Sequence, residues 1–389
     1  MGISKSISKA MKDSSWIRAM FEEGEKMKKI HGPENILDFT LGNPITEPPG
    51  ELKQELVRLL TSESKGLHRY MTNSGFESVR EQIAEHCSKK TGLPFSSSNI
   101  VMTVGAAGGL NVVFKSLLDP GNEVIVPNPF FVEFMFYIGN HGGVIKLVDS
   151  KDDFHLDIEN IKKAINKKTK AVLINSPNNP TGVVYTEEEL RELADVLRKK
   201  REQGQRIFLI ADEAYKRLIY NGTILPDVFN IYEDTIAVTC HSKDLALAGE
   251  RIGYIAASPQ ITNLKPLMDA MIFSNRILGF INAPALMQRV VGKFQNGNLD
   301  MSEYQQRRDL IYDILVDSGF DVIKPQGAFY IFPKSPIPDD VKFVRELQKH
   351  HILGVPGIGF GKSGYFRLAY CVDMDVIERS RTHFMEFRK

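Results

Sequence analysis

Four polar clusters in the chain each follow a short apolar run, and each carries residues able to do chemistry. His241-Ser242-Lys243 follows the run 235–240, with Gly249, Arg251 and Gly253 just downstream. A lysine at a buried strand end is costly to keep charged unless it is paired or converted, and condensation with an aldehyde to an imine is one such conversion. Arg251 offers a fixed cation suited to a phosphate. On an exposed loop the same lysine is an ordinary solvated charge. Asp212-Glu213-Ala214-Tyr215 closes a run that is apolar on both faces. A carboxylate emerging there needs a partner such as a protonated ring nitrogen, or it caps a helix. The loop Asn175-Ser176-Pro177-Asn178-Asn179-Pro180-Thr181-Gly182 is either a plain turn or a source of amide groups for a polar ligand. Gly105-Ala106-Ala107-Gly108-Gly109 follows the run 100–104 and precedes a helical stretch reaching residue 118. Small residues there let backbone N–H groups approach an anion at a helix N-terminus, and close strand–helix packing would explain them as well. The stretch matches neither G-x-G-x-x-G nor the P-loop spacing.

The elements that must position these clusters are legible as alternation. Apolar runs at 100–104, 123–127, 143–148, 171–176, 206–212, 235–240 and 252–257 are separated by helix-length stretches, of which 186–201 is an example. This predicts an α/β fold with a mostly parallel seven-stranded sheet flanked by helices. A long helical pattern covers 263–294. The remainder mixes helices (302–318, 341–350) with short strands (329–332, 365–369), and an amphipathic helix over 14–29 carries Trp16, Ile17, Met20, Phe21 and Met27. We expect a large α/β domain over 51–284 and a smaller α+β domain formed by 1–50 with 285–389. In an open parallel sheet, ligands bind beyond the carboxyl ends of the strands, so the four clusters fall on one rim. Together they supply a phosphate cradle, amides, a carboxylate, a phenol, an amine and an arginine. That is the inventory a phosphorylated pyridine aldehyde requires.

The bulk composition excludes other classes. A formal net charge of +1 over 389 residues argues against partners such as nucleic acid or an anionic membrane. The three cysteines, Cys87, Cys240 and Cys371, are far apart and give no metal or disulfide framework, which fits a cytoplasmic protein. The first 12 residues contain no apolar signal segment, and no apolar run is long enough to span a bilayer. The adjacent His350 and His351 read as a solvated helix end.

At these residues the chain resembles the class I/II aminotransferases, the fold type I pyridoxal-phosphate enzymes. The resemblance runs in order through Leu41-Gly42-Asn43-Pro44, His68-Arg69-Tyr70 with Gly75 and Arg80, Gly105-Ala106-Ala107, Asn179-Pro180-Thr181-Gly182, Asp212-x-x-Tyr215, Ser242-Lys243 with Gly249-x-Arg251-x-Gly253, and Phe366-Arg367-Leu368. It implies pyridoxal 5'-phosphate as cofactor, held as a Schiff base by Lys243, which then moves the substrate α-proton. Asp212 would pair with the ring nitrogen. Tyr215 and Asn179 would hydrogen-bond the ring's phenolic oxygen, and Phe131 would stack on the ring. Gly105, Ala106, Ala107, Ser242 and Arg251 would hold the phosphate, joined by Tyr70 of a neighbouring copy in a homodimer. Arg367 would grip the substrate α-carboxylate, with Asn179 beside it and the backbone at Gly42 closing over.

Two positions depart from the family pattern. Cys240 stands where a hydroxyl residue is frequent, and alanines occupy the first phosphate loop. The expected reaction is ping-pong transfer of an amino group between an L-amino acid and a 2-oxo acid. A carbon–sulfur β-lyase, a cyclising synthase or a decarboxylase on the same scaffold is the alternative. A ligand-sensing module of a transcription regulator lacks room for a DNA-binding domain, and a nicotinamide dehydrogenase lacks its glycine motif. Acidic, alanine-type and aromatic substrates stay open: Arg276 is a candidate cation for a distal carboxylate or a solvated helix arginine, and Phe21, Tyr70, Phe131 and Phe134 are candidates for an aromatic pocket.

Overall fold

The computed structural model describes residues 2–13, 15–63, 65–220, 222–295 and 300–388. The side chains of Trp16, Ile17 and Phe21, expected on the apolar face of the N-terminal helix, lie outside the described residues; Met20 is buried. The seven expected runs form one sheet. Its strands lie in the order Ile100–Thr103, Gly253–Ala257, Thr235–Cys240, Phe208–Asp212, Thr169–Asn175, Glu123–Asn128, Val144–Asp149. All run parallel except Gly253–Ala257, which is antiparallel to both neighbours.

Period-two alternation explains why these segments are strands. Val172 and Ile174, Leu209 and Ala211 face one apolar cluster; Ala171 and Leu173, Ile210, Ile236 and Val238 face the other. Buried on both faces, such strands need apolar residues at every position. The helix Glu187–Glu202 starts where expected because Thr186 and Glu189 form a reciprocal cap: Thr186 Oγ1 accepts from Glu189 N–H at 3.2 Å and Glu189 Oε2 accepts from Thr186 N–H at 2.7 Å. The pattern over 263–294 does not make one helix. It divides into Leu264–Ile277 and Ala285–Val291 with a short 3₁₀ turn after it, because Gly279 and Ile281 hold left-handed backbone (φ 84° and 61°) and Pro284 opens the second helix.

Register sets the rim. Asn175 pairs with Asp212, so two polar strand ends lie side by side. Cys240 and Thr103 both pair with Gly253. The one antiparallel strand therefore begins where its neighbours end, and Arg251 arrives at the same edge as Gly105 and Lys243.

A second layer covers this edge. Val355–Pro356, Phe366–Ala369 and Tyr330–Ile331 form a small antiparallel sheet, and Leu37–Asp38 pairs with Ile352–Leu353. Phe39 O accepts from Ala369 N–H at 2.8 Å, which carries the following residues, 40–42, over the rim. A third apolar cluster, including Phe39, Tyr215, Phe329, Tyr330 and Phe366, ties the layers together.

Candidate active site

A cavity of about 370 Å³ lies between the rim and the covering layer. Its wall includes Gly42, Ala106, Ala107, Phe131, Asn179, Asp212, Tyr215, Ser242, Lys243, Arg251 and Arg367. Elements far apart in sequence thus bring these expected residues together. Tyr70 is not on this wall; it is 85% exposed on the same chain's surface.

The strand ends place the first group. Lys243 donates from Nζ to Gly42 O at 2.7 Å, and burial lowers its pKa. Asp212 is 6% exposed, and its pKa is raised from 3.8 to about 7, chiefly by desolvation. It accepts from Ala214 N–H at 3.1 Å, and no cation pairs with it among the described residues. Asn175 fixes its neighbours with both ends of its amide: Oδ1 accepts from Asn179 N–H at 2.8 Å and Nδ2 donates to Asp212 O at 3.2 Å. The loop that follows is tied internally. Asn178 Oδ1 accepts from Thr181 N–H and Oγ1–H at 3.1 and 2.9 Å, and Gly182 N–H donates to Asn178 O at 2.8 Å.

The phosphate-cradle candidates also meet. Gly105 opens the helix Gly105–Leu117 with φ 78°, and a Cβ there would sit 2.8 Å from Arg251 Nη2. Only glycine suits both the backbone and the approach. Arg251 donates to Ala248 O at 3.0 Å. Cys240 is buried on the cavity wall; burial raises its thiol pKa, and a hydrogen bond from Ser242 opposes the shift.

The covering layer supplies the rest. Arg367 donates to Thr40 O at 2.6 Å and to Asn179 Oδ1 at 3.1 Å. Its guanidinium lies 4.6 Å from the ring centres of both Tyr330 and Phe360, while its Nε is buried with no hydrogen-bond partner among the described residues. The Tyr215 and Tyr330 hydroxyls are 3.0 Å apart. A Cβ at Gly42 would overlap the Tyr330 hydroxyl, so this backbone can cross the cavity only as glycine.

Sequence reasoning missed Glu133, Tyr330 and Phe360, which all line the cavity. A carboxylate set among Phe130, Phe131 and Phe134 was the one available signal for Glu133. Of the expected aromatic residues, Phe131 and Phe134 reach the wall and Tyr70 does not; the side chain of Phe21 is outside the described residues. Arg276 is exposed beside Phe273, 5.4 Å from its ring centre, and is not on the wall. His350 is no plain solvated end: it is half-buried and 3.0 Å from Glu386. Its donor atoms, with those of His383 and Glu386, lie within 4.8 Å of one another, away from the cavity wall.

Buried strand-end groups facing an arginine-bearing second layer suit an enzyme site in an α/β protein. Residues 34–384 match the family model for aminotransferase class I and II, and the chain belongs to that family. It is 33% identical to a probable aspartate aminotransferase from Methanocaldococcus jannaschii over 89% of this chain and 92% of that protein. It is 34% identical to a probable aspartate/prephenate aminotransferase from Aquifex aeolicus over 87% of each. Its fold matches a crystal structure of an aminotransferase from Eubacterium rectale with a TM-score of 0.95 at 36% identity, covering 100% of this chain and 98% of that one. The family and the names of these relatives make the chain an aminotransferase and favour that reading over a lyase of the same scaffold. Among the described residues no helix is long and apolar enough to cross a membrane.

Proposed function

We propose that the cavity binds pyridoxal 5'-phosphate and that the enzyme moves an amino group between an L-amino acid and a 2-oxo acid in a ping-pong cycle. The observation that carries this reading is Asp212. A buried carboxylate without a counter-cation is expensive, and its pKa is raised accordingly. A protonated pyridine nitrogen is the partner it lacks, and Lys243 supplies an amine on the same wall.

When bound, pyridoxal phosphate supplies an aldehyde that condenses with amines and a ring that accepts the electron pair of the breaking α C–H bond. Lys243 would hold the cofactor until an incoming amino acid releases its amine. The freed Nζ then takes the α-proton and returns it, and burial favours the neutral form that this requires. Asp212 keeps the ring nitrogen protonated. Tyr215 and Asn179 would serve as donors to the ring oxygen, and Phe131 would pack against the ring. Ala106, Ala107, Ser242 and Arg251, with Gly105 at the start of the helix, would hold the phosphate. Arg367, fixed by Thr40 and Asn179, orients the α-carboxylate.

Tyr70 completes the phosphate site of a second copy in a homodimer, which accounts for a tyrosine left 85% exposed in one chain. The division into a cofactor domain (51–284) and a smaller domain (1–50 with 285–389) is supported by the covering layer, which draws on both chain ends. Three free, buried cysteines support a cytoplasmic location.

Lys243→Ala tests the mechanism. Steady-state transamination should fall roughly 10⁴-fold while some cofactor still binds. Retained turnover in that variant would overturn the assignment.

A further inference from the structure

Glu133 has no part in the mechanism above, yet it lies on the cavity wall in the first turn of the helix Glu133–Gly139. Its Oε2 is buried and has no hydrogen-bond partner among the described residues. Its own backbone N–H steadies the carboxyl, but burial dominates and raises its pKa. Arg367 acts on it through space, and no ion pair forms between them. A desolvated acceptor without a donor is a standing cost that a ligand donor would relieve.

The cations on the wall are Lys243, Arg251 and Arg367 among the described residues, and each already has a task. None of these is left on this chain's own wall for a second substrate carboxylate, and Arg276 is exposed off that wall. We propose that Glu133 reads the substrate side chain: it accepts a hydrogen bond from a short side chain ending in an N–H or O–H donor, and it disfavours one ending in a carboxylate. The inference rests on the reading of the cavity as an aminotransferase site. It sets this chain apart from the relatives named for aspartate. A site built to accept from a ligand donor discriminates strongly against a ligand lacking one, and like charges brought together add to the difference.

Two measurements on the holoenzyme test it. The first follows the bound cofactor's absorbance in single half-reactions with L-asparagine, L-aspartate and L-alanine. The second is calorimetric binding of succinamate and succinate, which carry no amino group to transfer. Asparagine should exceed aspartate by about tenfold or more in rate per unit concentration, and succinamate should bind about tenfold more tightly than succinate. In Glu133→Gln the asparagine-to-aspartate ratio, each rate taken relative to alanine, should fall about tenfold, and the two succinyl ligands should bind alike. A wild type that favours aspartate, or binds succinate more tightly, overturns the inference without any variant. So does a Glu133→Gln enzyme that slows all three amino acids equally, which would make Glu133 a positioning residue for Arg367. Failure of the underlying reading has a different signature: no amino acid, alanine included, would alter the absorbance.

Discussion

Asp212 and Glu133 are carboxylates on the wall of one cavity, and burial raises the pKa of both. Their supports differ. Asp212 ends a strand whose neighbours on both sides are hydrogen-bonded in register, and Asn175 grips its carbonyl. Glu133 starts a seven-residue helix at the side of the cavity. In the proposed reaction the rim of the sheet would hold the groups that must not move during proton transfer, while the side wall would hold those that meet whatever substituent the substrate brings. Chemistry shared by a family belongs on the rigid rim, and selectivity belongs where one residue can change without disturbing a strand.

Substitutions on the two walls should separate along that line. The largest of the further effects is expected at Asp212. In Asp212→Asn, turnover should drop roughly 10²- to 10³-fold, because the ring nitrogen loses the charge that keeps it protonated. Without cofactor the same change should stabilise the protein. The folded-state pKa of about 7 lies above the usual 3.8, so the stability of the wild type is full below about pH 4 and is lost as pH rises through 7. Thermal or denaturant unfolding of cofactor-free Asp212→Asn should show a gain of up to about 4 kcal/mol at pH 8 and almost none at pH 4. A variant less stable than wild type at pH 8 would refute the picture of an uncompensated carboxylate.

Arg367→Lys comes next. A lysine has no bidentate fork and cannot stack between Tyr330 and Phe360, so KM for every amino acid should rise about 100-fold with a smaller change in kcat. If only some substrates suffer, Arg367 reads side chains as well, and the contrast between the walls fails. The smallest effect is expected at Cys240. Replacing the buried thiol by a hydroxyl in Cys240→Ser should lower the cofactor dissociation constant by a factor of a few, the strength of about one neutral hydrogen bond. An unchanged constant would mean that backbone amides, Ser242 and Arg251 already saturate the phosphate.

The rim was legible in the sequence because strand ends announce themselves. An apolar run stops at Asp212 or Cys240, and the residues that follow sit at the edge regardless of distant packing. The covering layer was not legible in the same way. Tyr330 and Phe360 reach the cavity through short strands and turns whose placement depends on pairings with segments far away in sequence. Glu133 was not singled out in the sequence, because the burial of its carboxylate follows only from the layers around it. The overlong helix over 263–294 has a related cause: apolar residues continue through the break, and periodicity does not register the left-handed backbone at Ile281.

The loop from Asn175 to Gly182 was read as either a turn or a source of ligand amides; its geometry is that of an internally tied turn that sets the Asn179 side chain on the cavity wall. Asn175 and Asn178 spend their side chains within the loop and the adjoining strand end, which leaves the Asn179 amide to bridge to Arg367 on the cavity wall. A surface loop that folds around its substrate must surrender conformational freedom at each encounter, and affinity falls by that amount. Here the freedom is given up once, during folding. Successive amino acids and oxo acids would then meet a loop already set, and its ordering adds nothing to the cost of each binding event.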